Sequence, residues 1–115
     1  MTSLNRVILT GKVVTPPHRH YRPDGLPVIE FPLELNESED LRGRGGRNRV
    51  NIVAIGKWAE FKLDLLHSGQ HLMVIGKLNH RRWQTPEGKN RTRTEVIATE
   101  LKMIEEQNQT TNLRR

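Results

Sequence analysis

Cysteine is absent from the 115 residues, which excludes disulfide bonds and thiolate metal sites. Aromatic residues make up only 4% of the chain. No apolar run approaches the length of a membrane span, and the start Met1-Thr2-Ser3-Leu4-Asn5-Arg6 lacks the apolar core of a signal peptide. A cytoplasmic protein with no membrane association is therefore expected. Hydrophobic residues reach 34%, below the usual globular share, so part of the chain is expected to be loop or tail. Acids are in deficit as well, 13 against 19 Lys and Arg, for a net charge of +6. That balance favours a polyanionic partner without separating DNA from RNA or an acidic membrane surface. Glu30, Glu34, Glu37, Glu39 and Asp40 form one acidic stretch, and Arg42, Arg44, Arg47 and Arg49 follow at once. Such charge blocks are commonly solvated loop.

What is present is strand periodicity, in a chain long enough for one domain. Over 4–14, Val7, Leu9 and Val13 share one face, and Arg6, Ile8, Thr10 and Lys12 the other. Gly11 inside this run predicts a bulge or a sharp bend from one sheet into another, and Thr15-Pro16-Pro17 stops it. Asp24-Gly25 marks a turn in the loop that follows. Over 28–35, Ile29, Phe31, Leu33 and Leu35 alternate with Glu30, Pro32 and Glu34, and Pro32 requires an edge or an irregularity. Residues 36–48 have no apolar period and three glycines, which predicts a mobile loop. A third strand spans 50–55. Over 57–67 the period becomes helical, with Trp58 and Phe61 expected as core anchors and Ser68-Gly69 as the stop. Two long strands follow, 70–83 and 91–104, the second with a bulge expected between Ala98 and Leu101.

Three strands, one helix and two strands are the plan of an all-β, five-stranded OB-fold barrel over residues 1–104, with a polar, disordered tail over 105–115. That fold binds oligonucleotides on its second and third strands and on two loops. Both loops are basic here, with Arg19 and Arg22 in one and Arg82 and Lys89 in the other.

The most pointed local signal is Trp83, framed by five Lys and Arg residues on two adjacent strands, 77–83 and 91–96, around the loop Gln84-Thr85-Pro86-Glu87-Gly88-Lys89. A base stacks on a flat indole while cations meet phosphates. The competing reading is a tryptophan packed under a hairpin, with arginines keeping an edge strand soluble. Lys77, Asn79, Arg81 and Trp83 share strand parity, so one face of that strand is polar throughout and cannot be core; Arg82 fits either side. Tyr21 lies among His18, Arg19, His20 and Arg22, where a ring either stacks on a base or covers the barrel mouth. No cofactor is expected. His18 and His20 have no further ligand near them to complete a metal site. Asp24, Asp40 and Asp64 fall in separate elements, and no serine, histidine and acid form a nucleophile set, so catalysis is not expected.

Leu4-Asn5-Arg6-Val7-Ile8-Leu9-Thr10-Gly11, Tyr21-Arg22-Pro23-Asp24-Gly25, Ile55-Gly56-Lys57-Trp58-Ala59-Glu60, Gly76-Lys77-Leu78, Arg82-Trp83-Gln84 and Thr94-Glu95-Val96 occur in that order. On these segments the chain resembles the bacterial single-stranded DNA-binding protein family over roughly residues 4–104. Two features depart from the family pattern. The chain ends Thr111-Asn112-Leu113-Arg114-Arg115 in place of an acidic, phenylalanine-tipped tail, and Arg49-Val50-Asn51-Ile52 has no aromatic where the family usually has a tryptophan. A short, aromatic-poor member without that tail is similar to the family's primosomal branch. The resemblance implies single-stranded DNA binding, a homodimer, and contact with the PriA helicase and DnaT in primosome assembly at stalled forks. The alternatives are a tetrameric protein that coats single-stranded DNA, and an OB-fold adaptor that holds proteins and binds nucleic acid incidentally.

In the DNA-binding reading, Trp83 and Tyr21 stack on bases, and Arg47, Arg49, Arg81, Arg82, Lys89 and Arg91 meet phosphates, with Lys12 and Arg22 adding basic contacts. Stacking is worth about 1–3 kcal/mol per base. With so few rings, salt-sensitive phosphate contacts carry most of the affinity.

Overall fold

The computed structural model describes residues 4–35 and 48–105. Arg47, most of the loop expected over 36–48, and the tail from 106 onward lie outside the described residues. Six strands and one helix follow in the order β1 (Val7–Val13), β2 (His18–Tyr21), β3 (Pro27–Leu35), β4 (Arg49–Ile55), α1 (Lys57–Leu63), β5 (His71–Gln84) and β6 (Asn90–Met103). The sheet runs β1-β5-β6-β4-β3, and β1 pairs again with β3, so five strands close into a ring. This is the OB plan, with α1 between the third and fourth barrel strands. The sixth strand, β2, is a correction to the sequence reading, which left this stretch as loop. Among the described residues it pairs only with β3, through His18–Glu30 to Tyr21–Pro27, and its four residues are all exposed. Without a buried face it has no hydrophobic alternation to reveal it.

The inward residues fill the ring. Ile29, Phe31 and Leu33 of β3 meet Ile52, Leu72, Val74, Val96, Leu101 and Val13, each 0–1% exposed. Burying each such side chain contributes about 1.5–3 kcal/mol. Gly11 marks the closure. It pairs with Leu35 on one side and Leu72 on the other, and a Cβ there would lie 2.3 Å from the Glu34 carbonyl oxygen. β1 changes partners at this point without a bulge. Pro32 falls where β3 has passed the end of β2, whose last partner on that side is Glu30, and has not yet met β1, which starts at Leu33. The irregularity it requires is therefore present.

The bulge expected in β6 is present as well. Ile75 faces Glu100 while Gly76 faces Ala98, which leaves Thr99 as the extra residue; its hydroxyl donates to the Ile75 carbonyl at 3.1 Å. The helix is shorter than its periodicity suggested, and Phe61 is no core anchor: it is 80% exposed. Ala59 and Leu63, four residues apart, turn toward the core and Leu66 follows just past the helix end, so Phe61, two residues from each of the pair, falls on the opposite side of α1. Trp58 is half-buried against the core and donates from its indole nitrogen to the Ile55 carbonyl at 2.9 Å.

Candidate nucleic-acid interface

β5 and β6 are twice as long as β1 because they continue beyond the barrel as a two-stranded ribbon. Their turn is closed by Thr85 N–H to the Lys89 carbonyl and Gly88 N–H to the Thr85 carbonyl, both 2.8 Å, with Gly88 at φ 88°. Directly opposed residues of an antiparallel pair share a face. The register Asn79–Glu95, Arg81–Arg93, Trp83–Arg91 therefore puts three arginines, an asparagine, a buried acid and the indole on one side. Trp83 is 44% exposed, so it is not packed under the hairpin. The Arg81 guanidinium lies 5.4 Å from its ring centroid, within cation–π range.

The same side continues over the barrel. Pro32, Asn51, Glu95 and Asn79 form one row across β3, β4, β6 and β5. The neighbouring row holds Glu34 and Arg49, with Lys12 beyond Glu34 on β1. Several of its basic side chains are already matched: Arg49 with Glu34 at 3.6 Å, Arg81 with Glu95 at 3.7 Å, and His20 with Glu30 at 2.9 Å. Burial pushes the Glu30 carboxyl up. Hydrogen bonds from His20 and Asn51, together with the charges of His20 and Arg81, outweigh that and hold it below its ordinary range. Among the described residues Arg91, Arg93, Arg82, Lys77 and Lys89 have no ion pair. Like charges placed directly opposite, as Arg81 and Arg93 are, destabilise a sheet. A polyanion laid along this face removes that repulsion. Two shallow hollows flank it. One of about 500 Å³ lies among Trp83, Arg91 and Arg93, and one of about 510 Å³ lies among His18, His20, Glu30, Asn51 and Arg93.

The structure brings Arg49, Arg81, Trp83 and Arg91 to one face, with Lys12 at its far margin. It does not bring Tyr21 there. Tyr21 and Arg19 point to the other side of β2, where the Tyr21 hydroxyl donates to Glu60 at 2.8 Å and Arg19 pairs with the same carboxylate at 3.3 Å; that hydrogen bond, burial and the Glu60 charge raise the phenol's pKa. Arg22 is held by Asp24 at 2.8 Å within its turn. Arg82 alternates with Trp83 and so lies on the opposite side of the ribbon, and Lys89 sits in the turn. Arg93, Asn51 and Glu95 escaped the sequence reading as site residues. For Arg93 the signal was available: it shares strand parity with Arg91. Asn51 and Glu95 join the site only through the parallel β4–β6 pairing, which no local pattern discloses.

A model of the single-strand binding protein family matches residues 4–104. A Thermotoga maritima single-stranded DNA-binding protein is 30% identical over 108 residues, 91% of this chain and 77% of that protein. The Bacillus cereus protein of that name is 32% identical; the chain spans 62% of its length, and only 40% of a Thermus thermophilus relative. Among solved structures, a Plasmodium falciparum SSB complex with ssDNA superposes with a TM-score of 0.81 at 25% identity, over 91% of this chain and 98% of that one.

Proposed function

The chain belongs to the single-strand binding protein family, and from that premise we propose that it binds single-stranded DNA along the outer face of β3, β4, β6 and β5. The observation that carries this reading is the exposed Trp83 beside the directly opposed Arg81 and Arg93. A ring open to solvent and a repulsive charge pair both cost stability in the free protein, and both are offset by stacked bases and phosphates. Stacking on an indole and contacts to phosphates accept any base, so binding should show little preference for sequence. Its role is binding, with the strand left chemically unchanged.

The finer reading is an accessory role in replication restart, like that of primosomal replication protein N (PriB): a homodimer that helps PriA helicase and DnaT assemble a primosome. Its support is the scarcity of rings, since Arg49, Val50, Asn51 and Ile52 bring no aromatic to the face and Trp83 stacks alone. A general coating role is the second reading, favoured by the names that the relatives carry.

Titration of labelled single-stranded DNA and duplex at several salt concentrations, with particle mass by light scattering, tests both levels. Single strands should bind better than duplex. If about four phosphates are neutralised, the log–log salt slope is near −3. Equal affinity for duplex, or a flat salt response, would remove the proposed face from the mechanism. Two chains per particle support the restart reading, four support coating, and one undercuts both.

A further inference from the structure

Glu95 is the one charged residue buried among the described residues, at 3% exposure, although it sits on the outer, polar side of the sheet. Its Oε2 accepts from Asn79 at 3.1 Å. Its Oε1 has no hydrogen bond, and Arg81 Nε stands 3.7 Å away. A buried carboxylate with an unsatisfied oxygen is costly and calls for an explanation. Stability does not supply one, because an apolar or amide side chain at this position would avoid the cost.

The geometry around Arg81 supplies it. Glu95 faces Nε, at the base of the guanidinium. The terminal nitrogens are left to lean over Trp83, with the carbon of the group 5.4 Å from the ring centroid. Arg93 stands directly across from Arg81 and repels it. Without an anchor on the Nε side, Arg81 would swing away from Arg93 and from the indole together.

We propose that Glu95 is a positioning residue for single-stranded DNA: it fixes Arg81 over one face of Trp83, so that the terminal guanidinium nitrogens meet a phosphate while a base stacks on the indole. This rests on the DNA-binding reading above. It makes a prediction opposite in sign to simple electrostatics. Removing a negative charge from a DNA-binding face tightens binding if that charge only opposes the phosphates. If Glu95 positions Arg81, removing the charge weakens binding.

The test is single-stranded DNA affinity at fixed salt for wild type, Glu95→Gln, Arg81→Ala, the double variant and Arg81→Lys, each checked for folding by circular dichroism and melting. Glu95→Gln keeps the shape and the Asn79 contact. It should bind roughly three- to tenfold more weakly, the scale of coupling within one ion-pair network. In the Arg81→Ala background the same change should cost nothing. Arg81→Lys keeps the charge but lacks the planar fork, and should lose affinity like Glu95→Gln. A folded Glu95→Gln that binds as tightly as wild type or tighter overturns the proposal, as does an equal loss in the Arg81→Ala background. If Glu95→Gln does not fold, Arg81→Lys decides alone, and wild-type affinity there overturns it. A wild-type chain that ignores single-stranded DNA removes the functional reading itself. Wild-type binding with an unaffected Glu95→Gln removes only this role for Glu95.

Discussion

The two halves of the β5–β6 hairpin share strands and a continuous ladder, yet they serve opposite ends. At the barrel end, Leu72, Val74 and Gly76 alternate inward against Ala98 and Leu101, all buried. Beyond Gly76, every residue of β5 from Lys77 to Gln84 is exposed. Backbone pairing sets the form of both halves; side chains alone decide which becomes core and which becomes surface. A bare two-stranded ribbon is marginal in water, so the outer half depends on the inner half for its existence. That asymmetry leaves the ribbon free to carry an exposed ring and opposed arginines, a composition that a self-supporting element would not tolerate.

The comparison breaks most sharply in the inner half. Leu72→Ala should cost about 2–5 kcal/mol of folding stability, as a large buried side chain leaves a cavity, while the protein that remains folded keeps its DNA affinity. Chemical denaturation read beside DNA titration checks both. Gly76→Ala attacks the junction. A Cβ there would stand 2.2 Å from the Ile97 carbonyl oxygen, a backbone atom that cannot yield, at about 1–3 kcal/mol or more. Because the strain falls where barrel becomes ribbon, DNA affinity should fall along with the melting temperature.

In the outer half the effects reverse. Trp83→Ala should weaken single-stranded DNA binding by about 1–3 kcal/mol, with little change in melting temperature or salt slope, since the ring is exposed and carries no charge. Wild-type affinity with impaired folding would return Trp83 to the core. Replacing Arg91 and Arg93, which share the face of Trp83, together with Ala should do the opposite, lowering the slope by roughly 1–2 units and costing affinity mainly at low salt. An unchanged slope would show that these two residues meet no phosphate.

Much of this division was legible in the sequence. Alternation gave the five barrel strands, and the parity slip after Ala98 gave the bulge at Thr99. The polar parity of Lys77, Asn79, Arg81 and Trp83 marked a face that could not be core. What stayed hidden was set by contacts distant in sequence. β2 has no buried side to betray it. Phe61 follows helical spacing but lies exposed, because the face of α1 that meets the core runs through Ala59 and Leu63. Tyr21 read as a basic-loop aromatic until Glu60, on a helix 39 residues away, claimed its hydroxyl. Glu95 stood out only as part of the Thr94-Glu95-Val96 segment; the parallel pairing with β4 and the neighbouring Asn79 and Arg81 of β5 surround its carboxylate.

The smallest expected effect joins the two halves electrostatically. Glu30 lies on the barrel, but the charge that lowers its pKa comes partly from Arg81 on the ribbon, after the hydrogen bonds of His20 and Asn51. A folded pKa below the unfolded value means a stabilising contribution present above the ordinary carboxyl range, about pH 4, and lost as pH falls through the lower folded value. Glu30→Gln should therefore melt slightly below wild type at pH 7, and the gap should close as the pH drops below about 4. Melting curves of both proteins from pH 7 to 3 decide it. A gap that persists unchanged in acid assigns the difference to shape. In an Arg81→Ala background the gap at pH 7 should narrow but persist, because the His20 and Asn51 hydrogen bonds remain.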